Sequence, residues 1–120
     1  MENTKKYKWH KIASGESDLN FGDNNLLQIT VAGKTICVAK GKNNFLYACA
    51  NKCPHAGGII ADGFIDVLNN VVCPLHRYKY NLQNGRNVSG EGYHLKTYPI
   101  AFHEDGVYIG IEETSFLNWF

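Results

Sequence analysis

FLYACANKCPHAGG, residues 45–58, runs a β-type segment of aromatic and small apolar residues straight into a cysteine, a proline, a histidine and two glycines. The pattern returns in FIDVLNNVVCPLHRY, residues 64–78, where a second β-rich segment ends in Cys73-Pro74-Leu75-His76. Two of the four cysteines and two of the five histidines are spent on this repetition. Strands that each deliver a Cys-Pro-His loop imply two ligand loops lying side by side.

Outward from these loops the chain reads as all-β. LLQITV (26–31), KTICVAK (34–40) and GVYIGI (106–111) are rich in β-branched residues and bounded by turn formers. Ala32-Gly33 and the stretch 41–44 supply hairpin connections, and Asp105-Gly106 is a type I′ turn signal. No apolar residues recur at helical spacing behind a cap, so no long helix is expected. Residues 12–25 read as a connecting loop. Glycine, asparagine and proline thicken from Asn51 to Gly92, with turns expected at Asn69-Asn70 and Asn84-Gly85. The expectation is one domain over 1–120, with a small β subdomain at about 51–92 inserted in a larger one.

Composition narrows the function. Twelve Lys and Arg against eleven Asp and Glu leave a formal charge of +1, which gives no bulk attraction to nucleic acid. The start, MENTKKYKWHKI, lacks the apolar run of a secretory signal or membrane anchor. A cytoplasmic protein without nucleic-acid or membrane partners is expected. In a reducing compartment the cysteines serve as thiols or metal ligands rather than as a disulfide framework.

Cys53-x-His55 and Cys73-x-x-His76 are two thiols and two imidazoles with tight spacing inside each pair, a metal site by type. A zinc ion in a Cys2His2 tetrahedron and a two-iron, two-sulfide cluster are both compatible. One Cys and one His per loop favours the cluster, because both cysteines can then hold one iron and both histidines the other. Zinc fingers tend to pair Cys with Cys, and His with His on a helix.

From about Tyr7 to Ile111 the chain resembles the soluble Rieske-type [2Fe-2S] ferredoxins, on the strength of Cys53-Pro54-His55-Ala56-Gly57-Gly58 and Cys73-Pro74-Leu75-His76. The resemblance implies an antiparallel β-sandwich with one cluster at the tip of an inserted subdomain, held by Cys53, His55, Cys73 and His76. Neutral imidazoles in place of two thiolates make the cluster less negative and raise its potential above that of plant-type ferredoxins. The outer N–H of such an imidazole can titrate, so the potential should fall as pH rises past the histidine pKa of the oxidised state. Rieske proteins of cytochrome bc complexes link their loops by a disulfide, at positions that look like Gly58 and Leu75 here. They also direct a serine hydroxyl at the cluster and carry a tyrosine two residues further on; these positions are Tyr78 and Tyr80. Fewer donors to sulfur place the expected potential near the low end of the Rieske span, about −150 mV. The family's proline-containing cover loop has no proline counterpart here before Pro99.

Several residues carry two readings. Gly57 and Gly58 give a close backbone approach with N–H groups aimed at sulfide, or only a tight turn. Lys52, Arg77 and Lys79 steer an acidic partner, or are solvated charges. Cys37 and Cys49 read as small buried hydrophobes, and FLNWF at 116–120 as a cover for the core. His10, His94 and His103 lack a cysteine neighbour and read as ordinary strand or loop residues.

A one-electron centre with no substrate domain beside it implies a carrier rather than an enzyme. It would take electrons from a reductase and pass them to a terminal acceptor such as a Rieske non-haem iron oxygenase. The alternatives are a metal-stabilised binding or redox-sensing module holding zinc or Fe-S, and a small subunit of a nitrite reductase-like complex.

Overall fold

The computed structural model describes residues 6–55, 57–88 and 92–113. Its strands are β1 (Tyr7–Ala13), β2 (Leu26–Val31), β3 (Lys34–Lys40), β4 (Leu46–Ala50), β5 (Phe64–Ile65), β6 (Asn70–Val72), β7 (Lys79–Asn81), β8 (Thr97–Tyr98), β9 (Ile100–His103) and β10 (Gly106–Glu112). They form three sheets, β1-β10-β9, β2-β3-β4-β8 and β5-β6-β7, with every pairing antiparallel.

KTICVAK shows no polar-apolar alternation, and the fold explains why. β3 lies in the middle sheet, and both of its faces are covered. Ile36 joins Ala48, Ile109 and Ile111 in a core against the β1-β10-β9 sheet. Cys37 and Ala39 point the other way, into a second core with Ile60, Val71, Cys73 and Tyr80 of the insert. Residues buried on both sides read as an unbroken apolar run.

The hairpins follow the turn chemistry. Val31 pairs with Lys34 across Ala32 (φ 51) and Gly33 (φ 78), the two positive φ values of a type I′ turn. Asn69 (φ 64) closes the β5–β6 turn and Gly85 (φ 78) the turn after β7, both where asparagine and glycine announced them. Asp105-Gly106 needs a correction. His103 pairs with Gly106, so the turn centres on Glu104-Asp105, neither of which has positive φ, and Gly106 (φ 156) starts β10.

A second correction concerns residues 12–25, since β1 extends to Ala13 and a 3-10 turn occupies Glu16–Asp18. β1 is exposed along much of its length and lacks alternation. It is a strand because its backbone pairs with β10, from Tyr7 opposite Glu112 to Ala13 opposite Val107. FLNWF at 116–120 lies outside the described residues.

Candidate metal centre

The two ligand loops are built alike. The first is closed by a bridge between Lys52 and Ile59. Within it the Cys53 N–H donates to the Gly58 carbonyl at 2.8 Å, and the Gly57 N–H to the Cys53 carbonyl at 2.8 Å. In the second the Cys73 N–H donates to the Tyr78 carbonyl at 2.8 Å, the same offset as in the first loop. His76 (φ 64) and Arg77 (φ 56) both adopt left-handed backbone there, strained conformations for residues with a Cβ.

The loops close on each other at Gly58. A Cβ there would stand 2.9 Å from Cys73 Sγ and 3.2 Å from Leu75 Cβ, so only glycine allows the approach. Positions 58 and 75 therefore face one another, as the resemblance implied, with nothing to bridge them. Gly57 (φ 74) has spent its N–H on the loop's own turn, which is the plainer of its two readings.

The four expected site residues come together in pairs on these two loops. Cys53 and Cys73 are buried, while the His55 and His76 ring centroids lie 5.0 Å apart. Burial pushes the Cys73 thiol up to about 11, a backbone N–H from Leu75 pulling against it and the neighbouring Cys53 thiol adding to it. Such thiols hold their protons until a metal displaces them. The Tyr80 hydroxyl, on a fully buried ring, sits 3.3 Å from Cys53 Sγ. Burial and then that thiol raise the phenol's pKa. The tyrosine noted from sequence thus reaches the thiol pair.

His55 Nδ1 is buried and has no hydrogen-bond partner, a state that is costly for a polar atom unless something binds it. The donors come as a thiol pair and an imidazole pair. That suits two irons and fits a [2Fe-2S] group.

Residues 8–99 match the model of the Rieske [2Fe-2S] domain. The chain belongs to the Rieske [2Fe-2S] domain family. Members of this family carry a single [2Fe-2S] cluster. Among its relatives is the 3-phenylpropionate/cinnamic acid dioxygenase ferredoxin subunit of Photorhabdus laumondii, 29% identical over 56% of this chain and 65% of that protein. The matched span covers less than two-thirds of the length of each sequence relative. An NADH-dependent nitrite reductase small subunit from Mycobacterium tuberculosis has the same fold, with a TM-score of 0.78 at 14% identity over 91% of this chain and 99% of that one. So has the ferredoxin of carbazole 1,9a-dioxygenase from Nocardioides aromaticivorans, with a TM-score of 0.68 at 16% identity over 89% and 97%. At these identities the two structures speak for the fold.

Two aromatic neighbours of the Rieske centre carried no ligand signal in the sequence. Tyr78 stacks on His55 at 3.8 Å between centroids and 8° between planes, and Tyr93 meets the same ring edge-on at 5.1 Å. In the sequence Tyr78 stands out only as the residue at the position of the serine donor of cytochrome bc Rieske proteins. Tyr93 reaches the site from a distant stretch of chain, and no spacing rule announces it. The flanking cations also separate: Lys79 lies 3.8 Å from Asp66, whereas Arg77 is exposed. Cys37 and Cys49 are buried opposite each other on β3 and β4, His10 and His103 sit on strands, and His94 bridges to Arg86. No helix of the described residues is long and apolar enough to cross a membrane.

Proposed function

We propose that the chain is a one-electron carrier whose cluster is held by Cys53 and Cys73 on one iron and by His55 and His76 on the other. The observation that carries this reading is the buried, unpartnered Nδ1 of His55 at the end of a loop whose cysteine contacts a second buried thiol. The cluster supplies a one-electron couple; the chain supplies its donors and their surroundings. The Tyr80 hydroxyl and the Leu75 N–H are aimed at the two thiols and would favour the more negative, reduced state. With these donors and no serine, the potential belongs near the low end of the Rieske span, about −150 mV.

In this reading residues 1–120 form one domain and 51–92 its cluster-carrying part. The chain is not itself an enzyme. It works in the cytoplasm between a reductase and an acceptor, an oxygenase by analogy with the dioxygenase ferredoxin subunit it resembles. A second reading, a small subunit of a nitrite reductase-like complex, is favoured by the fold match that spans almost all of such a subunit.

Anaerobic purification followed by iron and sulfide analysis and electron paramagnetic resonance tests the ligand set. Two irons per chain with a mixed-ligand signal, lost in His55→Ala and in His76→Ala, is the expected result. A colourless protein with stoichiometric zinc would sink it. Reconstituted turnover with an oxygenase, compared with co-purification on a nitrite reductase large subunit, separates the two settings.

A further inference from the structure

The two proposed histidine ligands are not equally held. His76 is exposed, and the ring recorded beside it is that of His55, tilted by 59°. His55 is half-buried, with one aromatic ring flat on its face and another at its edge. Tyr78 and Tyr93 also contact each other, with centroids 6.0 Å apart.

Tyr78 belongs to the second loop, where its carbonyl accepts the Cys73 N–H, whereas His55 belongs to the first. The stack therefore crosses from one ligand loop to the other. A bond at Nδ1 would pin one atom of the His55 imidazole and leave the tilt of its plane to the groups around it. A parallel ring at 3.8 Å fixes that tilt.

We propose that Tyr78 is a positioning residue: its ring fixes the imidazole plane of His55 and lowers the potential of the centre. This rests on the ligand set proposed above. Two effects give the sign. The electron-rich face of the phenol favours the more positive imidazole of the oxidised state. The ring also keeps water from a histidine whose centre gains negative charge on reduction, and water would favour the reduced form.

Tyr78→Phe and Tyr78→Leu in the cluster-loaded protein test this, read by iron content, midpoint potential and the paramagnetic resonance line. Phenylalanine keeps the stacking face, so potential and line shape stay at wild-type values. Leucine removes it, so the potential shifts upward and the line broadens. An unchanged potential in Tyr78→Leu, or an equal shift in Tyr78→Phe, overturns the proposal, the latter because the hydroxyl would then be the active group. Should Tyr78→Leu fail to load iron, Tyr93→Leu removes the edge contact to His55 and the ring that packs against Tyr78, and is expected to give a smaller upward shift; no shift there overturns the proposal too. Wild-type protein without two irons would instead overturn the ligand set itself, so the two failures are distinguishable.

Discussion

In the sheets that frame the molecule, Ile36, Val107 and Ile109 are buried in clusters with other aliphatic side chains, with no polar atom to satisfy beyond the backbone. In the insert the buried residues include Cys53, Cys73, Tyr80 and Asn70, each with a donor or acceptor that must be met. The frame is held by area removed from water, a non-directional force that tolerates change of shape. The insert has strands of two and three residues, too short to stand alone. Its order depends on named contacts. If the comparison is right, the two regions fail separately.

The largest effect should come from the ligand loops. Cys73→Ala is expected to take iron content from about two per chain to near zero. Amide exchange should then quicken in β5, β6 and β7 while β3 and β10 keep their protection. Equal loss in both regions would break the comparison. Next is Ile36→Ala, where the lost methylenes and the cavity left between the sheets cost about 2–5 kcal/mol of global stability, measured by denaturant titration. The midpoint potential of this variant should stay at its wild-type value. Gly63→Ala reverses that pattern, because a Cβ at Gly63 runs into the Val72 carbonyl oxygen of the insert's own hairpin. The cost is about 1–3 kcal/mol, and it should appear as faster cluster loss before global unfolding.

The same division governs what the sequence shows in advance. β2 and β3 are visible to the residue, because local β propensity and the Ala32-Gly33 turn agree with their burial. The ligand loops are visible too, since metal chemistry restricts residue type and spacing together. β1, β8 and β9 are hidden. β1 carries Lys8, His10 and Lys11 among its seven residues, and β8 and β9 flank Pro99; β1 and β8 are strands through pairing with partners remote in sequence, and β9 through the short hairpin it makes with β10. Tyr78 and Tyr93 are hidden for a related reason. A ring that packs on a ligand obeys no spacing, so only the folded chain reveals it.

Smaller effects sharpen the comparison inside the insert. Tyr80→Phe removes the hydroxyl 3.3 Å from Cys53 Sγ and leaves the buried ring in place. A net hydrogen bond of about 1 kcal/mol that favours the reduced state corresponds to roughly 40 mV for one electron. The potential should fall by about that much in a redox titration, with global stability nearly unchanged. An upward shift would mean that the hydroxyl does not donate to sulfur.

The smallest effect expected is electrostatic and lies in the β5–β6 turn. Asp66 Oδ1 accepts the N–H groups of Leu68 at 2.9 Å and Asn70 at 3.0 Å, Oδ2 faces the Asn70 amide nitrogen at 3.2 Å, and Lys79 Nζ stands 3.8 Å away. Desolvation alone would raise the carboxyl pKa, but the Asn70 and Leu68 donors and the Lys79 charge outweigh it and hold the pKa below its ordinary value. A carboxylate whose pKa is depressed by folding stabilises the fold above its unfolded pKa, about 4, and that contribution is lost as pH falls through the folded value. Asp66→Asn keeps an acceptor for the backbone donors but turns an amide nitrogen toward Asn70 and Lys79. The expected loss is about 1 kcal/mol at pH 7, shrinking as pH falls through the lowered folded pKa and the wild-type carboxyl itself becomes protonated. Amide exchange of Leu68 and Asn70 across that range reads the difference directly. A deficit of equal size at both ends would show that the shape of the side chain, and not its charge, holds the turn.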